Sequence, residues 1–127
     1  MPKSAYIKAL REPIHFLWER RNNAKKELAA EFRSVSARGL DFSSGEIRYD
    51  HVIPLNYAMA DILEAPELDI NALQDILESK VVACLLTRDE DETLNRAGLK
   101  SKMPEGWEKS GIFARYEHVG IQVEPNN

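Results

Sequence analysis

Two stretches decide the fold: Glu46-Ile47-Arg48-Tyr49-Asp50-His51-Val52-Ile53-Pro54-Leu55, and, some way on, Val81-Val82-Ala83-Cys84-Leu85-Leu86-Thr87-Arg88-Asp89-Glu90-Asp91-Glu92-Thr93-Leu94-Asn95. The first alternates its side chains as a half-buried strand does and stops at a proline, which cannot donate to a ladder. Asp50 and His51 therefore stand side by side at the strand exit, on opposite faces. The second opens with an apolar run, Val81 to Leu86, that reads as a buried strand, too short and too β-branched at its start for a helix, and Thr87 follows it. Thr87 with Glu90 matches a capping box, in which hydroxyl and carboxylate satisfy each other's backbone N–H at a helix start. Two strands followed by a helix bring a carboxylate, an imidazole and, one helical turn apart, Asp91 and Asn95 toward one point. That is a donor set for a hydrolytic metal site.

Between the strands, Tyr57, Ala60 and Leu63 have helical spacing, and Ala65-Pro66 closes that helix. Asp69 is a good N-cap for a further one, with Ile70, Leu73, Ile76 and Leu77 as its apolar face and Lys80 near its C-terminus. These two helices form an insertion over 56–80. Upstream, Phe16, Leu17, Ala24, Leu28, Phe32 and Val35 recur at spacings that predict one long helix from Ile14 to Ala37, stopped by Gly39. A short helix from Ser4 to Leu10 precedes it, and Leu40–Gly45 reads as a loop. Downstream, Gly98 ends the helix that carries Asp91 and Asn95, and Leu99–Lys109 is a loop with Trp107 over the core. Ile112, Phe113, Tyr116 and Val119 then make a helical apolar face, with Arg115, Glu117 and His118 on the polar side. The tail from Glu124 is expected to fray. His15 and His118 read as packed or surface imidazoles.

The chain has 127 residues, which fits one domain over 1–127: a basic helical part over 1–39, a core over 46–96, and a loop and helix over 99–123. Its apolar share of 43% and charged share of 30% are ordinary for a globular protein, and no signal peptide or membrane span is expected. The one cysteine, Cys84, sits in the most apolar run as a buried small residue, which suits a reducing cytoplasm. The net charge of −4 is unevenly spread: residues 1 to 38 carry +5 and the remainder −9. A basic front on an acidic body suits a phosphate-backbone partner, through Arg20, Arg21, Lys25 and Lys26, or equally a solvated amphipathic helix. The acidic run after Thr87 also has two readings, because carboxylates are stabilised at a helix N-terminus by about 0.3–1 kcal/mol each.

The segment Asp50-His51-Val52-Ile53-Pro54-Leu55, followed by an apolar strand, Thr87 and a polar helix start, resembles the HNH or His-Me finger nucleases, and in particular their Asp-His-Ile-Val-Pro pattern. The resemblance covers 46–96. It implies an α+β fold, mainly helical, with a small two-stranded antiparallel hairpin and helix, the ββα-metal core, containing a helical insertion. It implies a metal-dependent endonuclease in which His51 is the general base, Asp50 the neighbouring metal ligand, and Asp91 and Asn95 the helix ligands, with Glu90 or Glu92 as substitutes in another register. The chain departs from the family in lacking paired zinc-binding cysteines, a histidine on the helix, and the middle asparagine that orients the base, whose place falls near Val82 or Ala83. The alternative is a degenerate member that binds nucleic acid or a protein without cutting.

The chemistry of these residue types is coherent. A neutral imidazole, with an ordinary pKa of about 6.5, can take a proton from water at cellular pH. Hard oxygen ligands suit Mg²⁺ or Mn²⁺ more than zinc. Arg48, Arg88 and Arg96 flank the site and could hold a phosphate of the nucleic acid, for which DNA is expected, or serve as ordinary surface arginines.

Overall fold

The computed structural model describes residues 18–19, 29–65, 69–107 and 111–126. Among these, a small α+β domain is built from four strands and four helices. In chain order they are β1 (Phe32–Ser34), β2 (Ile47–His51), α1 (Leu55–Glu64), α2 (Ile70–Lys80), β3 (Ala83–Thr87), α3 (Arg88–Arg96), α4 (Ala114–Val119) and β4 (Val123–Pro125). The sheet order is β2-β3-β1-β4. β2 and β3 are antiparallel, β3 and β1 parallel, and β1 and β4 antiparallel, which makes the sheet mixed.

β3 is the strand around which both layers form. Cys84 and Leu86 point to one face, into a cluster with Val52, Leu94, Leu99, Tyr116 and Ile121 that α3 and α4 cover. Ala83 and Leu85 point to the other, with Ala30, Ala37 and Ile47. A strand buried on both faces reads as a continuous apolar run, and this is why Ala83–Leu86 has no polar alternation. β2, at the sheet edge, does alternate. Its partners across the ladder, Tyr49 with Leu85, Asp50 with Cys84 and His51 with Ala83, send Tyr49 and His51 to one face and Asp50 to the other.

The helical insertion forms its own cluster from Leu55, Ala58, Met59, Leu77 and Val81, with Trp18 packed against it. The Asp69 carboxylate caps α2 by accepting from the Ala72 N–H at 2.7 Å, and Lys80 pairs with Asp61 across the two helices. The capping box at α3 is present in full: the Thr87 hydroxyl accepts from the Glu90 N–H and the Glu90 carboxylate accepts from the Thr87 N–H. Glu90 also accepts from the Ser34 hydroxyl at 2.5 Å, tying the start of α3 to β1.

Three expectations are corrected. The long helix does not continue to Ala37: Phe32–Ser34 is β1 and Val35–Ala37 a single 3-10 turn, capped by the buried Ser34 hydroxyl. The slot between β3 and β4 takes this segment as a strand, and the pairing it gains there outweighs a helical spacing that leaves Val35 at 39% exposure. The two-stranded hairpin is consequently part of a four-stranded sheet. The C-terminal tail is not frayed at Glu124, because Val123–Pro125 pairs with β1 and Glu124 binds Arg33 and Arg38. The expected helices over 4–10 and most of 14–28, with His15, Arg20, Arg21, Lys25 and Lys26, lie outside the described residues.

Candidate functional site

The exit of β2 is held by Arg115. This guanidinium is 1% exposed and donates to the carbonyl oxygens of His51, Val52 and Leu99 (2.7 Å to Leu99), and to the Asp50 carboxylate at 2.7 Å. Three backbone carbonyls leave no room for a loose side chain, so Arg115 locks the turn from His51 into Ile53 and the loop after α3 to each other. The Tyr116 hydroxyl donates to the same Asp50 oxygen, Oδ2, at 2.5 Å. Burial and the Asp50 charge raise the Tyr116 pKa, so it remains a donor. Among the described residues no hydrogen bond reaches Asp50 Oδ1.

Asp91 lies in the first turn of α3, half-buried on the Asp50 side of the sheet. Burial, and then the Asp50 charge, raise its carboxyl above the usual range, while Arg48, Lys100 and Arg115 pull it back. Asp91 thus feels the Asp50 charge, and three cations partly offset it. Asn95, one turn on, is exposed. Of the substitute ligands, Glu90 is engaged in the capping box and Glu92 is exposed and pairs with Arg88 at 3.6 Å.

His51 faces the opposite way. Its Nε2 lies 2.8 Å from Oε1 of Glu19, whose side chain is 4% exposed, and the Tyr49 hydroxyl donates to Glu19 Oε2 at 2.5 Å. The Tyr49 and His51 rings meet edge to face at 5.6 Å, fixing the imidazole plane. His51 itself remains 24% exposed.

Both faces open onto one recess. A hollow of about 230 Å³ is lined by Asp50, His51, Pro54, Leu55, Asn56, Lys100 and Ser101. The sequence pattern brought Asp50 and His51 here, with Asp91 near enough to feel the Asp50 charge but not among the residues lining the recess. It missed Glu19, Asn56, Lys100, Ser101, Arg115 and Tyr116. Arg115 had been placed on the polar side of its helix, yet it is buried; only its adjacency to the core residue Tyr116 hinted at this. Of the expected phosphate contacts, Arg48 donates to the Gly45 carbonyl at 2.6 Å, Arg96 to the Thr93 hydroxyl at 3.3 Å, and Arg88 pairs with Glu92; Arg88 and Arg96 are exposed.

No helix among the described residues is long and apolar enough to cross a membrane. In comparisons with known proteins, no family model, no curated protein and no solved structure matches this chain.

Proposed function

We propose that this chain hydrolyses nucleic-acid phosphodiester bonds, DNA being the expected substrate, with His51 as the general base, in the manner of the HNH or His-Me finger nucleases that its strand-exit motif resembles. The observation that carries the reading is the recess: a partly exposed imidazole, a carboxylate, an amide and an ammonium line one hollow at the end of β2. A strand pair followed directly by a capped helix, with the histidine at the strand exit, is the arrangement such a core requires.

Within this reading His51 takes the proton of the attacking water, which contributes a rate factor of roughly 10²–10⁴. Lys100 lines the recess as a cation that can hold the phosphate and offset the charge developing on it. Arg48, Arg88 and Arg96 add positive charge on β2 and α3, and the nucleic-acid contact expected of Arg20, Arg21, Lys25 and Lys26, which lie outside the described residues, belongs to the same proposal.

A divalent cation fits the donor set in one specific form. Among the described residues no cluster of three or more His, Cys, Asp or Glu is placed to hold a metal ion. Mg²⁺, however, binds through one or two carboxylates, keeps several waters and takes substrate phosphate as its remaining ligands. Asp50 through its unengaged oxygen and Asp91, raised first by burial and then by the Asp50 charge, would hold it, with Asn95 one turn further along the same helix. Bound there, Mg²⁺ or Mn²⁺ would neutralise charge on the phosphate as a Lewis acid.

One observation favours a second reading, a member of the same fold that binds nucleic acid without cutting it: Asp50 Oδ2 is already shared by Arg115 and Tyr116, so much of the carboxylate's charge is met within the protein. Incubating the protein with plasmid DNA and Mg²⁺ or Mn²⁺ separates the two. Cleavage that His51→Ala reduces by about 10²-fold or more, with DNA affinity kept, supports the first reading. Binding without cleavage by the wild type supports the second.

A further inference from the structure

The departure most damaging to a His-based mechanism is the missing middle asparagine, since an unheld imidazole is a poor base. The structure assigns that positioning role to Glu19, which fixes His51 as the Nε2–H tautomer and thereby makes Nδ1 the proton-accepting atom. This inference rests on the proposed hydrolytic reading and names a further residue for it.

The argument is a count of donors and acceptors. Glu19 offers two carboxylate oxygens, and an ionised carboxylate only accepts. Oε2 takes the Tyr49 hydroxyl proton at 2.5 Å. Burial and the neighbouring Glu19 hold the Tyr49 proton in place well above the ordinary phenol range, so Tyr49 stays the donor. Oε1 lies 2.8 Å from His51 Nε2, and that contact is a hydrogen bond only if Nε2 carries the hydrogen. A neutral imidazole has one N–H, so its lone pair is at Nδ1, and among the described residues no hydrogen bond occupies that nitrogen.

The surroundings make this arrangement stiff. The Glu19 side chain is 4% exposed and its oxygens are held from two sides, so it has little rotamer freedom left to lose. The imidazole plane is set by the edge-to-face contact with Tyr49, and its backbone carbonyl is clamped by Arg115. A carboxylate behind an imidazole, orienting it and raising its basicity, is a general device for activating such rings. Here it comes from a distant part of the chain, which is why no local motif around His51 announces it.

The test is the tautomer, read by ¹⁵N chemical shifts and long-range ¹H–¹⁵N correlations of the His51 ring, alongside plasmid cleavage. In the wild type a pyrrole-type signal is expected at Nε2 and a pyridine-type signal at Nδ1. Glu19→Gln, whose amide oxygen can still accept from Nε2–H, is expected to keep that pattern. Glu19→Ala is expected to lose it and, if the hydrolytic reading holds, to lower cleavage by about 10–100-fold with DNA affinity unchanged. A circular-dichroism melt identifies variants that fail to fold, and Glu19→Gln then carries the comparison. A wild-type spectrum with the hydrogen on Nδ1, or a Glu19→Ala protein with wild-type signals and wild-type cleavage, overturns the assignment. If the wild type cuts nothing, the hydrolytic reading fails while the ring signals still decide what Glu19 does.

Discussion

Replacing Arg115 by Met tests how the β2 exit is held. The substitution keeps an unbranched apolar stem of similar reach and removes the guanidinium. Arg115 is 1% exposed and its partner Asp50 is 16% exposed at the side chain, so the pair belongs to the buried class. Breaking such a pair by removing one partner costs about 3–5 kcal/mol, because the other charge is left uncompensated. The carbonyls of Leu99 and Val52 would also lose their donors, so the upper half of that range is expected. Against a domain stability of about 5–15 kcal/mol this is a large fraction. With a urea slope of about 2 kcal/mol/M, the unfolding midpoint falls by roughly 2–2.5 M. Asp50→Asn in the Arg115→Met background removes the stranded charge, so the double variant is expected to be more stable than the sum of the single losses implies, by about 0.5–3 kcal/mol. A change under about 0.5 kcal/mol for Arg115→Met, typical of surface positions, would refute the clamp.

Three further outcomes follow from the same geometry. Thr87→Ala removes the hydroxyl half of the α3 capping box and is expected to cost about 1 kcal/mol by chemical denaturation, while Thr87→Ser, which keeps the hydroxyl, costs clearly less. The Cys84 thiol is fully buried and pushed up to about 12, chiefly by burial, so it should resist a thiol reagent in the folded protein and react at once in urea; rapid native labelling would contradict its place under Tyr116. The Glu124 carboxyl is lowered to about 2, first by the hydrogen bond from Arg38. Its contribution is present above the unfolded carboxylate value of about 4.3 and is lost as pH falls toward 2. Glu124→Gln should therefore lower the midpoint at pH 7 and leave it unchanged near pH 2.

How much of this could be read from the residues depended on how local each cause was. The Asp69 cap and the Thr87–Glu90 box are set by neighbours within a few positions, and each is where its pattern placed it, while the strand expected from Val81 starts at Ala83 because Val81 closes α2. β1 is not local: Phe32–Ser34 is a strand because β3 and β4 offer it two ladders from distant segments, and nothing between Phe32 and Val35 competes with a helical spacing until they do. The candidate site divides in the same way. Asp50 and His51 follow from one strand ending at a proline, whereas Glu19, Lys100 and Arg115 reach the site only through the fold, the last as a cation in a helix short enough that its faces cannot be told apart by period.

The pleat raises a geometric difficulty, and the sheet order resolves it. Adjacent residues of a strand point to opposite faces, so in a central strand Asp50 and His51 would be separated by the full thickness of the sheet. β2 is an edge strand, and its ladder ends at His51 paired with Ala83. Beyond that point the Val52 N–H still donates to the Val82 carbonyl, and the chain then turns through Ile53 into Pro54, whose ring lacks an N–H and cannot extend the pairing. A hollow that wraps the open end of an edge strand can then be lined by both residues at once, and the recess containing Asp50, His51, Asn56 and Lys100 does so. The division of labour follows from the faces. The Asp50 side collects charge, through Asp91, Arg115 and Lys100, while the His51 side carries a hydrogen-bond chain through Glu19 and Tyr49. Within the proposed hydrolysis, an acid–base group and an electrostatic group would thus be held apart from direct mutual neutralisation, yet meet at one opening.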